Sequence, residues 1–153
     1  MSEHDKGKQR RVLILANETV EGVGLLDAIR TGDGGKATEV LVVAPALNSR
    51  LRHWVSDEDR ARRDAALRLG AYLQELGRHG IEANGWVGDA NPLLSITDTL
   101  HRFSVDEIVI ATDSERDSNW LARNVVGRAR RLFPQPIHHV VVEGAAGQDL
   151  AVA

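Results

Sequence analysis

One apolar run of the chain leads into a segment that has three acids and no glycine. The run is EIVIA at 107–111, and the predicted loop after it reads TDSERDS at 112–118. In an open α/β sheet such a crossover lies at the carboxyl ends of the strands, where ligands bind. A loop that closes its backbone N–H groups on a phosphate needs glycine. The residue types therefore predict an acidic crossover and disfavour a phosphate-binding loop.

Metal binding is a second interpretation of those acids, because Asp113, Glu115 and Asp117 alternate along one short segment. Calcium requires six or more oxygens in a defined cage, and the EF-hand spacing is absent. A solvated acidic lid before a helix N-terminus is the favoured interpretation. The adjacent His138 and His139 point to opposite faces of a predicted strand, so they cannot chelate one ion together. The sequence predicts no metal site.

No catalytic residue is predicted. The serines lack the Gly-x-Ser-x-Gly setting of an activated nucleophile. The step Gly22-Val23-Gly24 lacks the third glycine of a dinucleotide fingerprint. Asp89, at the end of a predicted strand, is placed to act as a base, although acids of this kind are common at helix starts. We therefore expect a protein that is not an enzyme, with weak nucleotide hydrolysis as the remaining alternative.

Two other groups of side chains allow a binding role. Trp120, in the first turn of the last predicted helix, could stack on a base or close a cleft, and it could equally pack against a helix or a partner. Arg60, Arg63 and Arg68 lie among acids on one predicted helix, which favours a salt-bridged solvent face. The formal net charge of -3 gives no general attraction to nucleic acid or to an anionic membrane.

The composition indicates one globular domain. A chain of 153 residues buries roughly 70% of its unfolded surface. It has no cysteine, which excludes disulfides, thiolate metal sites and a cysteine nucleophile. No apolar run approaches the ~20 residues of a membrane helix, and the polar first ten residues do not form a signal peptide, so a cytoplasmic protein is expected. We predict flexible tails at 1–10 and 144–153 around a domain at 11–143.

Short β-branched runs alternate with longer helical patterns, which is typical of a parallel sheet covered on both faces. The predicted strands are 11–16, 39–44, 81–87, 106–111 and 137–142. The third is interrupted by Asn84 and Gly85, which predicts an edge or near-edge position. These elements predict an α/β fold, a Rossmann-like three-layer sandwich.

Capping residues and helical spacing predict four helices between the strands. The second opens at Ser56, and Gly80 suits its C′ position. Asn91 caps the third with Pro92 at its first position, and Ser118 is predicted to cap the fourth. The residues predicted to face the core are Val23, Leu26 and Ile29 in the first helix, Ala61, Ala65, Leu69, Tyr72, Leu73 and Leu76 in the second, Leu93, Ile96, Leu100 and Phe103 in the third, and Leu121, Val125, Ala129, Leu132 and Phe133 in the fourth.

The chain resembles the universal stress protein family, a branch of the adenine-nucleotide-binding α/β folds. GDANP at 88–92 resembles the family's Gly-Asp-Pro turn before its third helix. DEIVIAT at 106–112 resembles the strand of its ATP-binding segment, and PIHHVVV at 136–142 resembles its last strand. The resemblance spans 11–143 and implies a five-stranded parallel sheet in the order 3-2-1-4-5 with helices on both faces.

The glycines of the family's ATP motif have no counterpart in this chain. Their positions, with that of the final hydroxyl, fall on Ala111, Ser114, Asn124 and Val125, and the family's acid after the first strand falls at Asn17. A Cβ at Ser114 obstructs positive φ. Each acid beside a phosphate costs about 4 kcal/mol at ~4 Å and an effective ε near 20, before arginine or magnesium offsets it. The resemblance thus implies a branch without the usual ATP binding and without a required cofactor, with ATP and magnesium as the alternative.

The resemblance implies two classes of function. The first is a non-catalytic stress-response or regulatory module that acts through protein contacts. The second is a binder of ATP, AMP or another small molecule in the cleft between the first and fourth strands. A homodimer through the last strand, at Ile137, Val140 and Val142, is expected because pairing covers an exposed apolar edge. The candidate cleft residues are Asn17, Ala44, Asp89, Thr112, Asp113, Ser114, Ser118 and Trp120.

Overall fold

The computed structural model describes residues 10–16, 29, 38–46, 57–113 and 116–142. The strands are β1 (Arg10–Ala16), β2 (Thr38–Pro45), β3 (Ala83–Gly88), β4 (Glu107–Asp113) and β5 (Ile137–Val142). The helices are α1 (Asp57–Arg78), α2 (Pro92–Arg102) and α3 (Arg116–Leu132). Of the first predicted helix, Val23 and Leu26 lie outside the described residues, and Ile29 is helical and buried. None of the described helices has the length and apolar character needed to cross a lipid bilayer.

The five strands form one sheet in the order β3-β2-β1-β4-β5. Every neighbouring pair is parallel. This arrangement confirms the predicted α/β fold and its 3-2-1-4-5 order. β1 is central, and its residues from Val12 to Ala16 are all buried. An unbroken apolar run is what a strand covered on both faces requires. β3 is an edge strand, as its interruption by Asn84 and Gly85 predicts.

The two faces of the sheet carry separate halves of the core. On one face, hereafter the α1 face, Val12 and Ile14 pack with Tyr72 of α1. On the other, hereafter the α2/α3 face, Leu13 packs with Ile96 of α2 and with residues of α3. Successive residues of β1 therefore serve opposite faces, as the pleat of a strand dictates.

The end of α1 follows the predicted capping chemistry. Gly80 has a φ of 79°, which a residue with a side chain rarely adopts. The Ile81 N–H donates to the Leu76 carbonyl at 2.9 Å, and the Gly80 N–H donates to the Gly77 carbonyl at 3.0 Å. These two bonds form a Schellman motif, so the prediction of Gly80 at C′ is confirmed. The motif ends α1 shortly before β3.

The crossover after β4 is shorter than the sequence predicts. Thr112 and Asp113, expected in a loop, continue β4 by pairing with Val141 and Val142 of β5. Since α3 begins at Arg116, only residues 114–115 separate strand from helix. Ser118, predicted to cap this helix, is its third residue, and Trp120 is its fifth and so lies beyond the first turn. Pairing with β5 is a non-local interaction, which explains why residue types along β4 did not predict it.

The inward face of α3 also differs from the prediction. Leu132, expected in the core, is 60% exposed, whereas Val126 is only 4% exposed. The helix turns the side carrying Val126, Ala129 and Phe133 towards the sheet. Leu132 lies about 100° around the helix from Phe133, which places it outside this buried stripe.

Candidate functional site

The strands β1 and β4 lie side by side, and the chain leaves them towards opposite faces of the sheet. After β1 it reaches Ile29, which packs on the α1 face, whereas after β4 it enters α3 on the other face. Adjacent parallel strands with such connections make a crevice outside their carboxyl ends, where ligands of open α/β sheets bind. The structure thus has a topological switch point between β1 and β4, at the position expected from the sequence.

Small side chains lie near the carboxyl ends of the strands at this switch point. Ala16 of β1 pairs with Ala111 of β4, and both are buried. Ala44, a predicted cleft residue at the end of β2, is fully buried in the core of the α1 face. The methyl groups of these alanines therefore belong to the hydrophobic core.

The described residues cover part of the predicted cleft. Thr112 and Asp113 end β4 just beyond Ala111, its last residue paired with β1, so their backbone lies at the switch point. Asn17 and Ser114 lie outside the described residues, and so do the side chains of Thr112, Asp113, Ser118 and Trp120. Asp89 follows β3, which is three strands away from β4 and hence roughly 14 Å from it. The structure places Asp89 at the far edge of the sheet.

Asp89 has a structural task in the turn between β3 and α2. Its Oδ1 accepts the Asn91 N–H at 2.9 Å, and its carbonyl accepts the Ser95 hydroxyl at 2.7 Å. Asn91 Oδ1 in turn accepts the N–H groups of Leu93 at 3.0 Å and Leu94 at 3.3 Å. Asn91 is thus the N-cap of α2 with Pro92 at its first position, as predicted. Asp89 thus acts as a turn-forming acid at a helix start, the common role weighed above against that of a base.

The hydroxyl groups along α2 are similarly committed to the backbone. Thr97 donates to the Leu93 carbonyl at 2.9 Å, and Thr99 donates to the Ser95 carbonyl at 2.9 Å. Together with the Ser95 bond, these contacts leave each hydroxyl paired with a carbonyl that is not a general base. Within the part of α2 that the structure describes, the hydroxyls are therefore satisfied by the backbone.

Among the described residues, Glu107 and His139 have shifted pKa values, and Glu107 lies at the amino end of β4, away from the switch point. Arg10 donates to both carboxylate oxygens of Glu107, at 2.6 and 2.7 Å. This bond lowers the pKa of Glu107 against the opposing effect of burial. His138 Nε2 lies 3.1 Å from Glu107 Oε1. Burial, with a smaller contribution from the Arg130 charge, lowers the pKa of His139. Arg10, Glu107 and His138 thus link β1, β4 and β5.

A groove that the sequence did not predict lies at the edge of the sheet formed by β3. It has a volume of about 250 Å³ and lies around the carboxyl end of β3. Its lining includes Arg62, Trp86, Gly88, Asp89, Asp98 and Arg102. The available signal was the spacing of Asp98 and Arg102, which puts both on one outward side of α2. The helical pattern of apolar residues identifies the inward face of α2 and does not show which outward residues lie beside β3.

Comparisons with known proteins bear on the fold. No family model and no curated protein sequence matches the chain. Among solved structures, the chain is similar to the crystal structure of a universal stress protein family protein from Arabidopsis thaliana with AMP bound. The TM-score is 0.57 at 12% sequence identity, over 90% of this chain and 94% of that chain. The likeness confirms, for the fold, the resemblance stated from the sequence.

Proposed function

We propose that this chain is a universal-stress-protein-like regulatory module of the cytoplasm, which acts through protein contacts and not by catalysis, and which does not hold ATP in the usual way. The observation that carries the proposal is the crossover after β4, where two residues join strand to helix and the sequence from 112 to 118 has no glycine. Such a connection offers few main-chain N–H groups beyond those of the helix N-terminus.

The charge of the crossover supports the same proposal. Asp113 ends β4, and Asp117 lies in the first turn of α3, with Glu115 between them in sequence. Three acids within five residues oppose a triphosphate, at about 4 kcal/mol for each partly desolvated contact near 4 Å. A binding site for ATP would therefore need a compensating cation.

A second candidate function is the binding of a nucleoside monophosphate at the switch point. The observation that favours it is the AMP in the similar structure from Arabidopsis thaliana. One phosphate needs less room and meets less repulsion than three, so a glycine-free crossover is a smaller obstacle to AMP than to ATP.

Calorimetric titration with ATP, ADP and AMP, each with and without magnesium, tests these two proposals. We expect no saturable binding of ATP. In a parallel denaturation experiment, a nucleotide that binds would raise the free energy of unfolding by about 2.7 kcal/mol when present at a hundred times its dissociation constant. Binding of AMP alone would support the second candidate, and magnesium-dependent binding of ATP would overturn the first. The double variant Ser114→Gly with Asp113→Asn is the matched comparison, because it restores a glycine and removes one charge, and it should gain ATP affinity.

The partner that we propose is a second copy of the chain, paired through β5. Within the described residues, β5 is an edge strand that pairs with β4 on one side. Its sequence, IHHVVV, is apolar enough to make an unpaired edge an aggregation hazard. Sedimentation velocity at micromolar concentration should therefore give a dimer, and a monomer at that concentration would contradict the proposal.

A further inference from the structure

The groove at the carboxyl end of β3, hereafter the β3-edge groove, runs across the outer edge of the sheet. Trp86 and Val87 are consecutive residues of β3, so their side chains point to opposite faces, yet both line the groove. Arg62 reaches it from α1 and Asp98 from α2, which cover opposite faces. Within the described part of the chain, no strand pairs with the outer side of β3. The groove is thus bounded by α1 and α2, with the unpaired edge of β3 between them.

The charged side chains of this groove are available to a ligand. Arg62, Asp98 and Arg102 are exposed, and none of the three makes an ion pair or hydrogen bond in the described part of the chain. Asp98 and Arg102 stand four residues apart on α2, a spacing at which opposite charges often pair. The groove therefore presents both signs of charge without satisfying either one internally.

An aromatic wall completes the groove. Trp86 is half-buried and stacks on Phe103, with ring centroids 5.4 Å apart and planes inclined by 28°. The Arg11 guanidinium lies 5.9 Å from the centroid of the Phe103 ring. The stacking on Phe103 fixes the position of the indole, and Arg11 packs in turn on Phe103. A fixed aromatic ring offers apolar contact at little conformational cost.

We propose that the β3-edge groove binds a small zwitterion of the α-amino acid class. Arg102 takes its carboxylate, Asp98 takes its ammonium group, and its side chain lies against Trp86. The volume of about 250 Å³ is below the ~300–1,000 Å³ typical of sites for drug-sized ligands, which favours a small metabolite as the occupant. A purely anionic or purely cationic ligand would leave one of the two opposite charges on α2 without a partner. This site is separate from the switch point, so it stands or falls independently of nucleotide binding.

Calorimetric titration with L-phenylalanine and three analogues tests the proposal. The analogues are 3-phenylpropanoate, which lacks the ammonium group, 2-phenylethylamine, which lacks the carboxylate, and N-acetyl-L-phenylalaninamide, which lacks both charges. We expect saturable binding of L-phenylalanine at one site per chain, and about fivefold weaker binding of each singly charged analogue. L-Leucine and L-glutamate are titrated alongside, because the side-chain preference is open. Absence of saturable binding by all three amino acids would overturn the proposal. Equal affinity for the neutral amide would also overturn it, since that result indicates an extended peptide paired with the β3 edge.

Two substitutions test the contributions of the Arg102 and Asp98 charges separately. Arg102→Gln should weaken L-phenylalanine and 3-phenylpropanoate about fivefold and leave 2-phenylethylamine unchanged. Asp98→Asn should weaken L-phenylalanine and 2-phenylethylamine and leave 3-phenylpropanoate unchanged. Arg131→Gln and Asp64→Asn are the matched controls, because both residues are exposed and lie outside the lining of the groove. A loss of affinity in the controls equal to that in the groove variants would refute a local site.

Trp86 supplies a second readout. In a background with Trp54→Phe and Trp120→Phe, Trp86 is the remaining tryptophan. Saturation with L-phenylalanine should change its fluorescence with the same dissociation constant that calorimetry gives. Binding with no change in the Trp86 signal would place the ligand elsewhere and overturn the assignment.

Discussion

Gly88, the last residue of β3, lies directly against Ser95 of α2. A Cβ at position 88 would come within 2.6 Å of Ser95 Oγ and 2.7 Å of Val43 Cγ2. The same Ser95 hydroxyl donates to the Asp89 carbonyl at 2.7 Å. Because Gly88 has no side chain, α2 can pack closely on the sheet. Ser95 can then form the hydrogen bond that fixes the turn between β3 and α2.

Replacing Gly88 tests this close approach. Gly88→Ala should lower the free energy of unfolding by about 1–3 kcal/mol, because an added methyl group overpacks the contact with Ser95 and Val43. Urea denaturation measures the change. Gly70→Ala on α1 is the control, since no atom lies within 4 Å of the new Cβ, and it should stabilise the helix by about 0.5–1 kcal/mol. Equal effects of the two substitutions would contradict the packing argument.

The ion pair between Arg10 and Glu107 is a second test. The two side chains are 12% and 20% exposed, and the guanidinium meets both carboxylate oxygens. Glu107→Gln should lower the free energy of unfolding near neutral pH by about 2 kcal/mol, because Arg10 keeps its charge and loses an ionised acceptor. Glu75→Gln removes a more exposed acceptor and should cost about 0.5 kcal/mol or less. A smaller loss for Glu107→Gln than for Glu75→Gln would refute this interpretation.

The same carboxylate should leave a signature in acid. Because the pKa of Glu107 is lowered in the folded chain, its contribution is complete above the ordinary value of 4.5 and is lost as the pH falls through the lower folded value. The difference in unfolding free energy between the unmodified chain and Glu107→Gln should therefore shrink below about pH 4.5. Urea denaturation at a series of pH values measures it. A difference that stays constant into strong acid would show that the ionised carboxylate is not the source of the stability.

The protonation of His139 should make the stability of the folded chain depend on pH in a different range. Burial, aided by the Arg130 charge, lowers its pKa below the ordinary value of 6.5. The unfolded chain then binds more protons than the folded chain between the lowered pKa and 6.5, so stability falls as the pH drops through that window. His139→Gln should reduce the fall seen in thermal unfolding, whereas His101→Gln, at an exposed position of α2, should not. Equal pH profiles for the two variants would contradict the burial effect.

The sequence predicted the sheet well because its signals were local. The apolar runs at β1 and β2 identify buried strands, Gly80 marks the end of α1, and Asn91 with Pro92 marks the start of α2. Each of these signals depends on residue type and short spacing alone. The strand order came from the family resemblance, which the fold comparison supports.

Errors arose where distant residues decide the outcome. The end of β4 at Asp113 depends on its pairing with Val142 of β5. The candidate cleft included Asp89 because strand ends were grouped by their common edge, without the distance across β2 and β1 that the strand order imposes. The β3-edge groove was missed for a related reason, since it forms only when α1 and α2 meet around one strand edge.

The burial of α3 gives the last test, because it differs from the sequence prediction at two positions. Val126 is 4% exposed and Leu132 is 60% exposed, although the predicted core face included Leu132 and not Val126. Val126→Ala should lower the free energy of unfolding by about 2 kcal/mol through lost burial and a residual cavity. Leu132→Ala should change it by about 0.5 kcal/mol or less, as expected of an exposed position. Urea denaturation of both variants decides between the two orientations of the helix, since a larger cost at Leu132 than at Val126 would restore the predicted face.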